Sequence, residues 1–383
     1  MKRIAIVQNI SFYAWHMRLG LARALKDEGY EIIFISSSDQ SITTNKSISS
    51  NVDIYSQKIQ EEFDYYDINL NRKGVNPLTD LRTLYQFYRL YKKIQPDVVL
   101  HYTAKPNIYG TIAADMLNIP SINNIAGLGT LFNKQNLITK VAKLLYRVSQ
   151  KKATKIFFQN SDDLQLFSQE NLVDPAKCDL LPGSGVNVDK FAPQDNTTPD
   201  TFRFLHISRM IWEKGIGEYV KAARSIKQRY PGVEFLLLGF LDPKNPKAIS
   251  KEQIDKWIEE GVITYLGKSD KVDEVIATAN CMVLASYYRE GTPRTLLEAA
   301  SMAKPIITTN NVGCRDVVDD NVNGFLCKAK DAKDLETKLE AMLNLSDEER
   351  TAMGKQGRKK ILKEFDEKIV IRKYSNAIKE IVA

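Results

Sequence analysis

Short apolar runs alternate with segments of helical period along residues 1–160. Each run has the length of a buried strand, and each longer segment repeats apolar residues at three- and four-residue spacing. The predicted strands are residues 4–7, 31–35, 97–101, 121–125 and 155–158. The predicted helices are residues 17–27, 77–94, 107–117 and 136–152. This alternation predicts a doubly wound α/β domain built on a parallel sheet.

The same alternation returns in the second half of the chain, after a break rich in glycine and proline at residues 180–187. The predicted strands there are residues 202–207, 233–238, 262–266, 281–285 and 305–308. The predicted helices are residues 217–228, 250–259, 271–278, 294–302 and 333–343. We therefore expect the fold class α/β, with two doubly wound, Rossmann-like domains at residues 1–185 and 186–365.

Ligands bind at the carboxyl ends of strands in such folds, so the loops after the strands are the candidate sites. In the first half these are residues 9–16, 102–107 and 126–130. No G-x-G-x-x-G follows the first strand, so a dinucleotide site is not expected there. Gly127 and Gly129 allow a backbone to approach a ligand closely, although a plain turn explains them equally well.

Two glutamates flank a strand-to-helix turn in the second half. Glu290 follows the apolar run 281–286, Thr292 is the expected N-cap, and Pro293 fits the first helical position. The free N–H groups of the first turn suit a phosphate. Glu298 can accept from vicinal hydroxyls such as those of a ribose, and Glu290 can accept from hydroxyls beyond the phosphates. The pattern suits a nucleotide-sugar, although two glutamates at this spacing also arise by chance on solvated helices.

Two cations follow the first strand of the second half. Arg209 and Lys214 lie on one loop after residues 202–207. Arg grips phosphate oxygens with a planar fork and Lys adds a point charge, so the pair suits a leaving diphosphate. Surface salt bridges are the alternative. In the usual strand order this loop lies beside that of Glu290, and Gly239 ends the next strand, where a base or ribose could lie.

Composition is that of a soluble globular protein of 383 residues, with 43% hydrophobic and 26% charged residues. The net charge of +7 suggests an anionic partner without naming a nucleotide, a membrane or a nucleic acid. The four cysteines lack metal-like spacing, which favours reduced thiols in the cytosol. No Asp-x-Asp motif or His/Cys cluster offers a metal site. No signal peptide or membrane span is predicted.

Two segments of the first half suggest contact with an anionic membrane surface. Residues 133–160 hold no acidic residue, and their cations are Lys134, Lys140, Lys143, Arg147, Lys151, Lys152 and Lys155. Apolar residues recur at helical spacing on the side expected to oppose these cations, and part of that stripe is expected to pack on the domain; they are Leu137, Ile138, Val141, Leu144, Leu145 and Val148. The predicted helix that contains Tyr88 is also rich in basic residues, together with aromatic ones. Solvated faces and core stripes are the alternatives, and no nucleic-acid motif accompanies the charge.

With these residues in view, the sequence resembles the family-4 retaining glycosyltransferases over nearly its whole length. Glu290 and Glu298 match the Glu-x7-Glu signature, and Arg209 and Lys214 match the Arg-x4-Lys pair. The hinge pattern is matched at residues 185–193. The resemblance implies a GT-B fold, in which two Rossmann-like domains face a cleft. It also implies that a C-terminal helix at 366–383 returns to the N-terminal domain.

Within that family the N-terminal half matches enzymes that extend polyprenyl-diphosphate-linked sugars, and the chain is similar to bacterial α-1,3-N-acetylgalactosaminyltransferases. The matching positions, which the resemblance implies bind the acceptor, are His16, Arg18, Lys105, Gly127 and Gly129. The loop at residues 9–13 departs from the glycine-rich loop of many relatives. A lipid-linked acceptor implies a peripheral enzyme at the inner face of the cytoplasmic membrane, attached through Lys140, Lys143, Arg147 and Lys151.

The resemblance also implies the roles of the donor site. Arg209 and Lys214 would hold the diphosphate of a UDP-sugar, Glu298 the ribose and Glu290 the transferred sugar. The wider donor-binding set is Arg209, Lys214, Gly239, Glu290, Gly291, Thr292, Pro293, Arg294, Thr295 and Glu298. Transfer would retain the α-configuration and require no metal or other cofactor. Arg294 replaces a smaller residue of many relatives, so it either alters donor choice or faces solvent.

Two other classes of function remain open on the sequence. One is a different GT-B enzyme, such as a UDP-sugar 2-epimerase or a phosphorylase. The other is a non-catalytic subunit that binds a sugar nucleotide. The basic amphipathic surface favours a transferase over the first, and the intact charged motifs argue against the second.

Overall fold

The computed structural model describes residues 1–38, 53–70, 76–129, 132, 136–194, 201–243 and 245–382. It divides into two compact units. The first unit is Met1–Ser184 with Lys368–Ala383, and the second unit is Gly185–Glu367. The breaks therefore lie one residue before and two residues after the expected ones. Thr130 and residues 133–135, which belong to a candidate loop and to the acid-free segment, lie outside the described residues.

The first unit is built on a seven-stranded parallel sheet in the order β3-β2-β1-β4-β5-β6-β7. Its strands are β1 (Arg3–Val7), β2 (Glu31–Ser36), β3 (Asp64–Asp67), β4 (Val98–Tyr102), β5 (Ser121–Ile125), β6 (Lys155–Phe158) and β7 (Cys178–Leu180). The five central strands are the predicted ones. Strands β3 and β7 were not predicted, because each is a short edge strand whose side chains are not fully buried, so neither shows an apolar run.

The helices of the first unit are α1 (Ser11–Asp27), α2 (Ile54–Gln60), α3 (Pro77–Ile94), α4 (Thr111–Asp115), α5 (Leu137–Gln150) and α6 (Ser161–Gln169). Helices α3 and α5 begin within one residue of the predicted positions, the helix predicted from residue 107 is divided into a π turn and α4, and α2 and α6 were not predicted. Helix α1 starts six residues earlier than predicted, so most of the expected loop at 9–16 is helical. Its first turns pack Phe12 edge-on against Tyr55 of α2, a helix that the sequence analysis did not predict.

The second unit is a six-stranded parallel sheet in the order β10-β9-β8-β11-β12-β13. Its strands are β8 (Arg203–Ile207), β9 (Glu234–Leu238), β10 (Thr264–Tyr265), β11 (Cys281–Leu284), β12 (Ile306–Thr309) and β13 (Gly324–Cys327). Its helices are α7 (Ile216–Arg229), α8 (Lys251–Glu259), α9 (Val272–Ala277), α10 (Arg294–Ser301), α11 (Ala332–Asn344) and α12 (Asp347–Glu364). Both units thus have the predicted doubly wound α/β architecture.

The last helix, α13 (Glu367–Val382), contributes its residues from Lys368 onward to the first unit. Its apolar face, which includes Val370 and Ile378, joins the core cluster that covers one side of the β1–β6 sheet. The hydroxyl of Tyr374 accepts a hydrogen bond from Nδ2 of Asn124 at 2.9 Å. None of the described helices combines the length and the apolar character needed to cross a bilayer.

Before α4 the backbone makes one π turn, Pro106–Gly110, which rests on a buried polar network. Gln150 donates to the Asn107 carbonyl at 2.8 Å and accepts from Asn123 at 2.8 Å, and Asn123 in turn contacts His101 at 2.9 Å. Burial lowers the pKa of His101 to about 4, so the ring is neutral. The network provides a hydrogen-bond partner for the Asn107 carbonyl of the π turn, and it fixes the segment that follows β4.

Candidate functional site

The predicted donor residues meet at one edge of the second sheet. Strands β8 and β11 are parallel neighbours, so their carboxyl ends lie side by side. Arg209 follows β8 and is half-buried, and Lys214 closes a short 3-10 turn, Trp212–Lys214. Glu290 lies in the loop after β11, and that loop leads into α10. The strand order expected from the sequence therefore brings the cationic and acidic loops together.

Lys214 and Glu290 form a largely buried ion pair. The ammonium lies 2.5 Å from Oε1 of Glu290, and the side chains are only 13% and 10% exposed. The same Oε1 accepts a hydrogen bond from Ser286 at 2.8 Å, and the ammonium lies 5.2 Å from the ring centroid of Tyr288. Buried charges are tolerated when they are paired and hydrogen-bonded in this way. The ion pair holds both side chains at the carboxyl edge of the sheet, where β8 and β11 end.

Several residues that the sequence analysis missed brace the Glu290 loop. Backbone N–H groups of Tyr287 and Tyr288 both donate to the Glu213 carbonyl, at 2.9 and 3.1 Å. The amide of Asn311, in the loop after β12, donates to the Tyr288 carbonyl at 2.8 Å. Gly215 must be glycine, because its φ is +75° and a Cβ there would lie 1.9 Å from the carbonyl oxygen of Ala285, the residue after β11. These contacts cross between loops, so no local sequence pattern signals them.

Helix α10 begins after a proline whose side chain offers no hydrogen-bond acceptor. The expected N-cap at Thr292 is wrong: Pro293 is the N-cap, with φ −65° and ψ 115°, and Arg294 is the first helical residue. Proline fixes φ but leaves ψ extended, so the helix starts one residue later than the sequence suggested. The side chain of Pro293 makes no hydrogen bond to the first turn of α10. The positive end of the helix dipole therefore faces the loop of Glu290 and can receive an anion.

Glu298 is buried in the second turn of α10 and is paired with Arg294. Nε of Arg294 donates to Oε1 of Glu298 at 2.8 Å, and the two side chains are 19% and 10% exposed. Arg294 therefore does not simply face solvent, which was one of the two expectations for it. Burial raises the pKa of the Glu298 carboxyl, and the charges of Arg294 and Lys190 oppose that rise.

Two further residues lie at the carboxyl edge of the sheet: His206 is near the end of β8, and Gly239 follows β9. A Cβ at Gly239, where φ is +150°, would lie 1.7 Å from the Ser208 carbonyl, so the close approach of two strand ends demands glycine there. Burial and the nearby charge of Lys214 lower the pKa of His206 to about 3. The ring is therefore neutral, and its Nε2 lies 3.0 Å from Oγ of Ser208. Gly239 thus has a packing role whatever ligand lies above it.

In the first unit, the predicted acceptor residues follow three adjacent strands of the sheet, β1, β4 and β5. Arg18 of α1 is buried, its guanidinium lies 3.8 Å from the ring centroid of Tyr102, and its Nη1 donates to Ser184 at 3.2 Å. His16 packs on the aromatic ring of Phe12, with centroids 4.5 Å apart. His16 therefore belongs to a helix and not to the loop that the sequence predicted, whereas Arg18 lies in the helix predicted for it.

Lys105, Gly127 and Gly129 complete that set. Lys105 follows β4, and its ammonium donates to the buried carboxylate of Asp80 at 2.6 Å. Gly127 and Gly129 follow β5 with φ of +93° and +60°, a backbone region that favours glycine. Among the residues that the structure describes, no three His, Cys, Asp or Glu side chains gather in a way that could hold a metal ion. The metal-free mechanism remains a prediction.

Comparison with known proteins identifies the class. A model of the glycosyl transferase 4-like family matches residues 3–160, and a model of glycosyl transferases group 1 matches residues 188–360. The chain therefore belongs to the glycosyltransferases of this group, with one model falling in each unit. The family predicted from the Glu-x7-Glu and Arg-x4-Lys motifs is confirmed, and so is the assignment as a transferase.

Two relatives illustrate where it falls within the group. It is 26% identical over 389 residues to the N,N'-diacetylbacillosaminyl-diphospho-undecaprenol alpha-1,3-N-acetylgalactosaminyltransferase of Campylobacter jejuni, with 97% of each chain covered. It is 25% identical over 308 residues to the UDP-Gal:alpha-D-GlcNAc-diphosphoundecaprenol alpha-1,3-galactosyltransferase of Escherichia coli, with 77% of this chain and 78% of that one covered.

Solved structures share the fold. A glycosyltransferase from Rickettsia africae is 21% identical, with a TM-score of 0.77, and the match covers 100% of this chain and 98% of that one. Anabaena HepE, solved in complex with UDP and glucose, is 15% identical with a TM-score of 0.79, and the match covers 99% and 100%. These neighbours confirm the predicted GT-B class of two Rossmann-like units.

Proposed function

We propose that this chain transfers a sugar from a UDP-sugar to a polyprenyl-diphosphate-linked saccharide, with retention of configuration. The observation that carries the proposal is the gathering of Arg209 and Lys214 with Glu290 and Glu298 at the ends of β8 and β11. Such a set offers cations for a diphosphate and carboxylates for hydroxyls within one sheet edge, which is where ligands bind in doubly wound folds.

The leaving UDP would be stabilised by charge that the chain itself supplies. Arg209, Lys214 and the first turn of α10 provide two cations and a positive helix end. Preorganised donors of this kind lower a barrier when they face the position where negative charge develops. We propose that they replace the metal ion used by other sugar-nucleotide enzymes, and that the reaction needs no cofactor.

Glu290 would position the transferred sugar and would not attack it. Its carboxylate is committed to Lys214 and Ser286, so it is held as a hydrogen-bond acceptor for sugar hydroxyls. In a front-face route the leaving phosphate oxygen takes the proton of the incoming hydroxyl, so no protein nucleophile is required. Glu298 would accept from the ribose hydroxyls. Its partner Arg294, at the first position of α10, keeps that carboxylate oriented.

The acceptor class rests on the two relatives. The names of both relatives describe a sugar linked to undecaprenol through diphosphate, and both describe an alpha-1,3 linkage. We propose N-acetylgalactosamine as the transferred sugar, because the relative that names it is matched over nearly the whole chain; another N-acetylhexosamine or hexose is the alternative. Acceptor contacts are assigned to residues of the first unit, namely His16, Arg18, Lys105, Gly127 and Gly129.

We propose that the reaction occurs at the inner face of the cytoplasmic membrane, because the proposed acceptor is linked to a lipid. The proposed contacts are Lys140, Lys143 and Arg147 of α5 and Lys151, which follows the helix directly. Their surroundings differ: Lys143 pairs with Glu170 at 2.8 Å and Arg147 donates to the Glu170 carbonyl, whereas Lys140 and Lys151 are exposed. We therefore assign the electrostatic attraction mainly to Lys140 and Lys151.

The test is a matrix of UDP-sugars against polyprenyl-diphosphate-linked mono- and disaccharides, with the product anomer assigned by NMR. Transfer of one UDP-sugar to a lipid-linked acceptor with an α-linkage supports the proposal. Interconversion of UDP-sugars without an acceptor would identify an epimerase. Tight donor binding without transfer or donor hydrolysis would identify a binding subunit. Lys214→Ala is the control for contaminating activity.

A further inference from the structure

Helix α5 turns an apolar face to the outside of the first unit. Four residues at helical spacing form a stripe, here called the apolar ridge: Leu137, Val141, Leu144 and Val148. Their exposed fractions are 76%, 36%, 56% and 45%. Part of the wider stripe was expected to pack on the domain, and Leu145 does so as a partly buried neighbour of the core, whereas the four residues of the apolar ridge remain exposed.

The composition of the inward face of α5 explains why the apolar ridge is exposed. It is formed by small and polar side chains together with Tyr146, and the polar ones include Thr139, Ser149 and Gln150, all buried. Gln150 is committed to the hydrogen-bond network beneath the π turn, and Asn136 caps the helix by accepting from Thr139 at 2.9 Å. Large apolar residues are therefore left on the outside, where an ordinary surface helix carries polar ones.

Cations flank the apolar ridge. At 100° per residue, Lys140, Arg147 and Lys151 lie along one side of it, and α5 contains no acidic residue. Arg147 is tied to α6 by hydrogen bonds to the carbonyls of Glu170 and Asn171, at 3.1 and 3.3 Å. The exposed Lys140 and Lys151 remain available to a partner. Long basic side chains can lie beside buried apolar neighbours while their charged ends reach outward.

Helix α3 also exposes large apolar residues. Leu78 and Leu81 in its first turns are 80% and 64% exposed, and Tyr85 follows them. Its one acidic residue, Asp80, is buried and paired with Lys105. Both α3 and α5 pack against the π turn between them, and both begin at the carboxyl edge of the sheet. Exposed apolar residues on two nearby helices are more than the scattered singles of an ordinary surface.

We propose that the apolar ridge, with Leu78 and Leu81, inserts into the boundary between lipid headgroups and acyl chains, while Lys140 and Lys151 contact the headgroup phosphates. This deepens and rests on the proposed function, since it names the surface that brings the enzyme to a lipid-linked acceptor. Attachment then depends on apolar burial in the bilayer and not on charge alone. It should therefore persist when salt screens the lysines.

Charge complementarity selects the bilayer over a second copy of the chain. In a two-fold contact through the apolar ridge with antiparallel helices, the cations beside it on one subunit would meet the same cations of the other, and with parallel helices they would meet the opposite side of α5. The described residues of α5 supply no acid to balance them, and the acid of α3 is buried. A surface of anionic phosphates above an apolar layer satisfies both features.

The experiment is vesicle sedimentation of the full chain at low and high salt, with vesicles of phosphatidylcholine containing phosphatidylglycerol. The ridge variant carries Leu137→Ser, Val141→Ser, Leu144→Ser and Val148→Ser. Its matched control carries serine at four exposed apolar positions of the second unit, Ile258, Leu266, Val322 and Leu362. We expect the ridge variant to lose at least tenfold in partitioning at both salt concentrations, and the control to match the unaltered protein. Lys140→Glu with Lys151→Glu should weaken binding mainly at low salt.

Transfer assays separate this inference from the proposed function. The ridge variant should transfer at the normal rate to a soluble short-chain acceptor and slowly to a full-length acceptor in vesicles. Equal partitioning of the ridge variant and the unaltered protein would overturn the insertion. So would sedimentation equilibrium showing that the unaltered protein is a dimer and the ridge variant a monomer. Binding to vesicles without transfer to any acceptor would instead contradict the function and leave the insertion standing.

Discussion

The ammonium of Lys214 lies 2.5 Å from Oε1 of Glu290, and this ion pair joins the loops that follow two adjacent strands, β8 and β11. Neither side chain is more than 13% exposed. A donor diphosphate must therefore either share the Lys214 ammonium with the Glu290 carboxylate or displace that carboxylate from the ammonium. The cation proposed for the leaving group and the carboxylate proposed for the sugar are one coupled unit, so their single-variant effects should not add.

Lys214→Ala should abolish transfer. Loss of a charge-assisted contact that strengthens as the leaving group departs should cost about 3 kcal/mol or more in the barrier. It should also lower the melting temperature, because Glu290 keeps a buried charge without its partner. Single-turnover kinetics and a thermal melt measure the two effects.

The double variant Lys214→Ala with Glu290→Gln separates the loss of transfer from the loss of thermal stability. Removal of the orphaned charge should restore much of the melting temperature, while transfer stays lost. Near-normal turnover in the single variant would contradict the role of Lys214 in holding the diphosphate.

Glu298→Ala should mainly raise the Michaelis constant for the donor, whereas Glu290→Ala should mainly lower turnover. Glu298 is assigned to the unreacting ribose, and contacts that are equal in ground and transition states appear in the Michaelis constant. Glu290 is assigned to the sugar whose bond breaks. Hydrogen bonds to a charged group contribute about 1.5–3 kcal/mol, so each effect should be roughly tenfold or more. Steady-state kinetics with the reverse pattern would exchange the two roles.

The strongly periodic parts of the fold were predictable from sequence. Helix α3 has the bounds predicted for it, because Asn76 caps it, Pro77 occupies its first position and its apolar residues repeat regularly. Helix α12 was missed because it is charged on nearly every face. Its capping box, in which Ser346 and Glu349 satisfy each other's backbone N–H groups, was the signal that could have found it.

Sequence predicted which donor residues gather but not how they pair. The strand order of a doubly wound sheet brings the loops of Lys214 and Glu290 together, and the spacing of Arg294 and Glu298 places them on one helix face. The bracing amide of Asn311 depends on a tertiary contact between loops, which has no local pattern. Periodicity also showed which residues of α5 share a face, but the buried network of Gln150 decided that the polar face turns inward.

Transfer should survive millimolar EDTA at full strength. The proposed donor site neutralises the diphosphate with Arg209, Lys214 and the first turn of α10, so a divalent ion has no assigned task there. The measurement is the initial rate with and without chelator, after removal of metal from all reagents. A loss of activity with EDTA that magnesium restores would show that the diphosphate is held through a metal.

The Arg294–Glu298 pair should control how donor binding depends on pH. Only the ionised Glu298 carboxylate can accept from both ribose hydroxyls. Burial raises its pKa above the ordinary glutamate value, Arg294 and Lys190 oppose the rise, and Asp273 adds to it. The Michaelis constant for the donor should therefore increase as the pH falls through this raised pKa. Arg294→Gln removes the nearest opposing charge, so the increase should begin at a higher pH, while turnover at saturating donor changes little.

Two further variants make the pH prediction specific. Glu298→Gln should raise the Michaelis constant for the donor at every pH and remove its acid limb, because no titrating group then remains at that position. Lys271→Gln removes an equal charge from an exposed position of the second unit and should leave the profile unchanged. The measurement is the Michaelis constant for the UDP-sugar at closely spaced pH values. An acid limb that stays in place in Arg294→Gln would show that this arginine does not act through Glu298, and its contact with the carboxylate would then be structural only.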